Sequence, residues 1–407
     1  VLTKSIDEID YPCEHFTYCG GCSFQNMAYD KQLEQKERQV HDLFVRIGNF
    51  KNIKINPIIG CEEIYHYRNK MEFTFGNYEW VPEGKPENNV ESYALGLHVP
   101  KRFDKILDIN NCDIQSDQSN KIFNEIKFIC KEAKLVPYNV KTHEGFLKFL
   151  IIRSSFYTNE IMINLVTNYK DINTLSPIVN KIIQKFPNIK SFINSITSKK
   201  SGTSISEEQY LLYGDDSIYE KLNNLKFKIS SESFFQPNTK QAEKLYEIIK
   251  KEANLTKDDV VYDLFCGTGT IGLYLSEYCK SIYGFEIVVS AVNDAIINAK
   301  NNNIKNSTFI CGDLANLFET NPETKCIENP DVMIIDPPRA GIHPKTIPII
   351  IDKSPKTIIY ISCNPSTQVR DVKLLCDNGK YKIKSVSPID MFPHTPHIEN
   401  ITKLILN

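Results

Sequence analysis

From about Ser233 to the end, short apolar runs alternate with helical ones, and this rhythm constrains the fold more than any other feature. Val260 to Phe265 reads as a buried strand, Ile271 to Cys279 as a helix, Ser281 to Ile287 as a strand and Ala291 to Asn302 as a helix. Thr308 to Cys311, Val332 to Ile335 and Thr357 to Ser362 follow as strands. A helix over Pro365 to Cys376 then leads to a closing pair, Lys382 to Ser387 and Ile401 to Leu406. Strands joined through helices cannot pair as hairpins, so the alternation predicts a doubly wound α/β fold around a largely parallel sheet.

The 407 residues, 41% of them hydrophobic, are enough for more than one core and for two or three domains. Residues 1–50 hold a cysteine cluster and a helix over Tyr29 to Arg46, with Leu33, Val40, Leu43, Phe44 and Ile47 near helical spacing and a stop at Gly48. Residues 51–228 carry short β-like runs, among them Ile53 to Ile59, and a few helical ones, the pattern of a central α+β domain. Val81 to Asn89 reads as a loop insertion. Residues 229–407 form the third domain. No run of about 18 apolar residues and no secretory leader is visible, which predicts a soluble, cytoplasmic protein with no membrane contact; a monomer is expected.

A net charge of -2 gives no overall attraction to nucleic acid, so an RNA surface must come from local patches. Two stand out: the lysines 181, 185, 190, 199 and 200, which could equally be a solvated face, and the run Tyr65-His66-Tyr67-Arg68-Asn69-Lys70. Aromatics beside cations can stack bases and hold phosphates, although a plain strand entrance has the same composition.

Asp263-Leu264-Phe265-Cys266-Gly267-Thr268-Gly269-Thr270 lies where the first strand opens into a helix, and glycines there let backbone approach a ligand. Glu286 ends the next strand, in place to accept from two ribose hydroxyls. These features alone do not separate NAD from S-adenosylmethionine. Two later motifs do. Asp336-Pro337-Pro338-Arg339 and Ser362-Cys363-Asn364-Pro365 each follow a strand, which brings Asp336, Arg339 and Cys363 to the carboxyl edge of the sheet. A helix start beside Cys363 is expected to favour its thiolate.

Together with Phe234-Phe235-Gln236-Pro237-Asn238 and His397-Ile398-Glu399, these motifs resemble, in order, the RNA uracil-5-methyltransferase family. The resemblance spans the third domain and implies a Rossmann-like class I methyltransferase fold that takes S-adenosylmethionine. It implies cofactor contacts at Gln236, Phe265, Thr270, Glu286, Asp313 and Asp336, a nucleophile at Cys363 and a proton acceptor at Glu399. Arg339 is expected to support the site. The chemistry needs such groups: carbon 5 of uracil attacks a methyl sulfonium only after a thiolate has added to carbon 6, and a base must then remove the carbon 5 proton. A non-catalytic RNA-binding iron-sulfur protein would need neither Cys363 nor Glu399.

Cys13, Cys19 and Cys22 are spaced so that Gly20 and Gly21 allow thiolates to converge, and Cys112 is the best fourth member among the twelve cysteines. Cys61 and Cys130 read as core. Four thiolates suit zinc or a 4Fe-4S cluster on spacing alone. The ribosomal members of the resembled family are similar in carrying this motif around a 4Fe-4S cluster, which implies a metal-binding N-terminal segment and 23S rRNA as the expected partner, with tRNA as the alternative.

Overall fold

The computed structural model describes residues 5–81, 93–200, 204–377 and 379–407; the expected insertion, apart from Val81, lies outside them. Helix α1 (Tyr29–Asp42) runs on into a π-helical turn over Leu43–Ile47, closed where the Gly48 amide donates to the Leu43 carbonyl at 2.8 Å. The helix therefore ends where the sequence reading put its stop. Its inward stripe is less expected. Gln32 and Lys36 are buried along with Val40 and Phe44, one turn apart on a single face.

The middle of the chain builds a seven-stranded sheet from β1 (Lys70–Gly76), β2 (Ala94–His98), β3 (Ile106–Asp108), β4 (Leu147–Ser154), β5 (Ile161–Thr167), β6 (Ile189–Ile196) and β7 (Glu208–Gly214). The order is β3-β2-β1-β4-β5-β6-β7. Every neighbouring pair is antiparallel except β5 and β6, which need a crossover. Helix α3 (Ile172–Lys185) supplies it, capped by the Asp171 carboxylate on the Thr174 amide. With α2 (Asp117–Glu132) it covers one face, where Phe73 and Phe123 meet with ring centroids 4.4 Å apart.

A hairpin, β8 (Ser217–Leu222) and β9 (Leu225–Ser230), links this sheet to the next. Its Ile218, Leu222, Phe227 and Ile229 pack in one cluster with Met162 and Ile193 of the central sheet and with Leu245, Tyr246 and Ile249 of α4 (Thr239–Ala253). Each such side chain removed from water contributes roughly 1.5–3 kcal/mol. Glu220 reinforces the joint: its buried carboxylate accepts from Ser155, the Phe156 and Tyr157 amides and Thr239.

The last sheet contains β10 (Val260–Leu264), β11 (Ser281–Glu286), β12 (Ser307–Cys311), β13 (Val332–Ile335), β14 (Thr357–Ser362), β15 (Tyr381–Ile389) and β16 (Glu399–Leu406) in the order β12-β11-β10-β13-β14-β16-β15. The first five are parallel, joined through α5 (Thr270–Leu275), α6 (Val289–Asn301), α7 (Leu317–Thr320) and α8 (Thr346–Lys353), while α9 (Pro365–Cys376) leads into the antiparallel closing pair. This is the doubly wound arrangement that the alternation predicts. The run Ile53 to Ile59, expected as a strand of the central domain, instead lies parallel to β15 through bridges Ile55 to Val386 and Ile59 to Ile389. Among the described residues no helix is long and apolar enough to cross a membrane.

Candidate active site

Because β10, β11, β13 and β14 are parallel, their carboxyl ends share one edge of the sheet. The turn after β10 needs two kinds of freedom. Phe265, Gly267 and Gly269 all have positive φ, at 62°, 54° and 77°. A Cβ on Gly269 would also stand 2.9 Å from the Phe309 ring, whereas one on Gly267 would meet nothing within 4 Å. The turn is thus packed on its inner side and open on its outer side. Beneath it, buried Asp263 accepts from the Gly272 amide at 2.9 Å, and burial pushes its carboxyl up to about 7.

Glu286 is anchored by three backbone amides: Gly267 at 3.1 Å, Ile287 at 2.9 Å and Val288 at 2.9 Å. Asp313 is exposed just past the end of β12, which pairs with the end of β11 through Cys311 and Glu286. The Thr270 hydroxyl opens α5 and accepts from Tyr246 at 2.8 Å. Gln236 is buried, and its carbonyl accepts from Asn69, which also donates to Thr239, each at 3.0 Å. Asn69 is thus a tether for the Gln236 strap that sequence reasoning passed over.

The other half of the edge is crowded with acids. In the register of β14 and β16, Ser362 faces Asn400, so Cys363 and Glu399 are the next pair outward, at the mouth of the sheet. Glu399 is buried, and burial first, then Asp336, pushes its carboxyl well up, with Arg339 opposing. Asp336 is raised as well, by burial. The half-buried Cys363 thiol is pushed up by burial and by Glu399, while Arg339 pulls it down. The helix start was expected to favour the thiolate; the structure corrects this, because desolvation and two nearby carboxylates outweigh one helix end.

Arg339, whose part the sequence left unassigned, is the cation that acts on both Cys363 and Glu399. Its carbonyl is held by Asn364 at 3.1 Å and Thr367 at 3.2 Å, and its guanidinium lies 3.3 Å from His397 Nδ1. Burial and Arg339 lower His397, which favours its neutral form.

Cys13, Cys19, Cys22 and Cys112, far apart in sequence, line one small cavity with His15 and Gln25. Among the described residues no group of three or more His, Cys, Asp and Glu is gathered as a single ion requires. Four thiols around one small cavity are a donor set of the kind that zinc or a cluster takes. Burial raises Cys19 to about 11 and Cys112 to about 12, and Cys19 Sγ accepts from the Gly21 amide at 3.3 Å. Cys130 is core as expected, but Cys61 is half-buried beside Asn238.

Of the two basic stretches, the lysines are dispersed: 181 and 185 lie on α3, 190 on β6 and 199 and 200 beyond it, and Lys185 pairs with Glu125. In the other, Tyr65 stacks on His394 with centroids 4.5 Å apart and the Tyr67 hydroxyl donates to the Pro393 carbonyl at 3.0 Å. Both aromatics brace the Pro393–His394 turn, Tyr67 buried and Tyr65 half-buried. Lys70 is lowered to about 8 by burial and by Arg153.

The carboxyl edge of this mixed α/β domain thus gathers a thiol, two acids and a cation. Residues 28–406 match the tRNA (uracil-5-)-methyltransferase family model, and the chain belongs to that family. It is 40% identical over 400 residues to an uncharacterised RNA methyltransferase of Bacteroides thetaiotaomicron, covering 97% of this chain and 87% of the relative. It is 36% identical over 406 residues to another, of Chlorobaculum tepidum, covering 98% and 84%. A solved structure, the Pyrococcus abyssi tRNA (uracil-54, C5)-methyltransferase in complex with S-adenosyl-L-homocysteine, superposes with a TM-score of 0.73 at 28% identity, covering 95% of this chain and 86% of that one.

Proposed function

We propose that the protein transfers a methyl group from S-adenosylmethionine to carbon 5 of a uridine in RNA, with Cys363 as nucleophile and Glu399 as base. The observation that supports this most is the register of β14 and β16, which pairs Ser362 with Asn400 and so brings their neighbours Cys363 and Glu399 close together, with Arg339 near enough to act on both. S-adenosylmethionine supplies the electrophilic methyl group. Gln236, Phe265, Thr270, Glu286, Asp313 and Asp336 are the residues proposed to hold it, with Glu286 on the ribose and the open side of Gly267 toward the ligand.

On this reading the Cys363 thiol, whose raised pKa keeps it protonated at rest, passes its proton to water as the sulfur adds to carbon 6. The pair of the carbon 5 to carbon 6 double bond shifts to carbon 5 and, by conjugation, onto the carbon 4 oxygen as an enolate, and Arg339 steadies the negative charge that gathers nearby. After methylation Glu399 takes the carbon 5 proton. That pair restores the double bond, and the carbon 6 to sulfur pair returns to Cys363. A base with a raised pKa suits this last step, since it binds the proton firmly once ionised.

The four cysteines are proposed to hold a 4Fe-4S cluster, which would serve as a cross-link between segment 13–22 and the Asn111 to Asp113 turn. 23S rRNA is the proposed substrate, on the likeness of the cysteine motif to ribosomal members of the family. A tRNA is the second reading, favoured by the P. abyssi likeness. Incubation with methyl-labelled S-adenosylmethionine and separate pools of unmodified ribosomal and transfer RNA, followed by nucleoside analysis, tests both. 5-Methyluridine in the ribosomal pool alone is expected; its appearance in the transfer pool alone replaces the substrate, and its absence from both overturns the reading.

A further inference from the structure

The loop from Asp390 to Ile398 carries His397 and leads into Glu399, and besides Tyr67 and Asn238 the residues that fasten it come from the far end of the chain. Asp390 accepts from Lys36 at 2.7 Å and from Tyr29 at 3.0 Å, and Lys36 also donates to the Phe392 carbonyl at 3.1 Å. The His394 carbonyl accepts from the Ser23 and Phe24 amides at 2.8 and 3.0 Å. Those are the two residues after Cys22. The His394 amide donates to Gln32 Oε1 at 2.9 Å, and Gln32 Nε2 reaches His394 Nδ1 at 3.2 Å. The same Nε2 donates to the Phe24 and Met27 carbonyls at 2.9 and 2.8 Å, so one buried amide ties the cysteine segment, α1 and the loop together. His394 has φ of 66°, a left-handed backbone that a non-glycine residue keeps only when its surroundings impose it.

We propose that Gln32 and His394 form a positioning latch: through it the N-terminal cysteine segment sets where the Glu399 carboxylate stands, and so governs release of the methylated uridine from Cys363 rather than the attack that forms the adduct. The inference rests on the proposed role of Glu399 as base. In release, Glu399 takes the carbon 5 proton, the freed pair becomes the carbon 5 to carbon 6 bond, and the sulfur leaves with its own pair. Proton transfer of this kind tolerates little displacement, since a shift of about 1 Å can cost on the order of a hundredfold. Attack depends on Cys363, which is set by β14 and by the Ser362 and Asn364 turn; Gln32 and His394 bond neither, and the loop reaches the attack step only indirectly, through His397 on Arg339. A latch that merely stabilised the fold would affect both steps alike.

The test is single-turnover reaction of the full-length protein with labelled S-adenosylmethionine and a mixed pool of unmodified ribosomal and transfer RNA. Covalent protein–RNA adduct is followed on denaturing gels. In Gln32→Ala, adduct formation and the KM for S-adenosylmethionine are expected to stay within about twofold of wild type while adduct decay slows about tenfold. Gln32→Met keeps the packing volume but removes both hydrogen-bonding ends of the side chain and is expected to slow decay about tenfold as well; it decides the matter should Gln32→Ala fail to fold. Decay at the wild-type rate in the folded variants, or formation slowed as much as decay, overturns the latch. The reading on which it rests is checked separately: free release by Glu399→Gln removes that residue as base whatever Gln32→Ala does.

Discussion

Two glutamates stand on the same edge of the same sheet, and the protein treats them in opposite ways. Glu286 is half-buried and accepts from three backbone amides. Glu399 is buried, faces Asp336 and has Arg339 as its counter-charge. Fixed amides hold a carboxylate in one place for one purpose, which suits a group that binds. Burial beside a second acid makes a carboxylate costly to ionise and eager to take a proton, which suits a group that reacts. On the proposed reading the edge divides into a holding half, β10 and β11, and a reacting half, β13, β14 and β16.

Removing the reacting groups should break this division most severely. Cys363→Ala is expected to abolish methyl transfer, because carbon 5 then lacks the electron density to attack; turnover above about 0.01% of wild type, measured by label incorporation, would remove the covalent route. Glu399→Gln should still methylate but stall, with kcat down by about 10²–10⁴ and adduct accumulating on denaturing gels. On the holding half, Glu286→Gln should raise the KM for S-adenosylmethionine about ten- to a hundredfold with a much smaller change in kcat. Equal losses in kcat and kcat/KM would move Glu286 to the reacting side.

The C-terminal sheet was legible because parallel strands buried on both faces leave apolar runs such as Val332 to Ile335 and Thr357 to Ser362, and because glycine and proline mark their ends. The order of those runs was enough to bring Asp336 and Cys363 to one edge. The Glu399 register came from the closing pair. The N-terminal third hid its purpose for a physical reason. Gln32 and Lys36 look like surface residues of a polar helix, and their partners His394 and Asp390 lie 362 and 354 residues away. A buried polar contact leaves no periodic trace in either segment, so only the folded chain reveals it. The raised Cys363 thiol was missed similarly: the helix start is written in the sequence, whereas the burial and neighbouring carboxylates that outweigh it are not.

The smallest effect bears on what the reacting half does to stability. Glu399 and Asp336 titrate near 4 in an unfolded chain, and both are raised in the folded one. Between those values the folded protein binds more protons than the unfolded, so these groups make stability fall as pH rises through the window from about 4 upward. The sign is opposite to that of a carboxylate held by a cation. Glu399→Gln removes one such group, so its Tm relative to wild type should improve between pH 5 and pH 8, by roughly 2 °C for a domain of this kind. Adduct release by the wild type should quicken over the same range as Glu399 ionises. A Tm difference that does not change with pH would mean that Glu399 titrates as an ordinary surface acid, and the contrast with Glu286 would then rest on geometry alone.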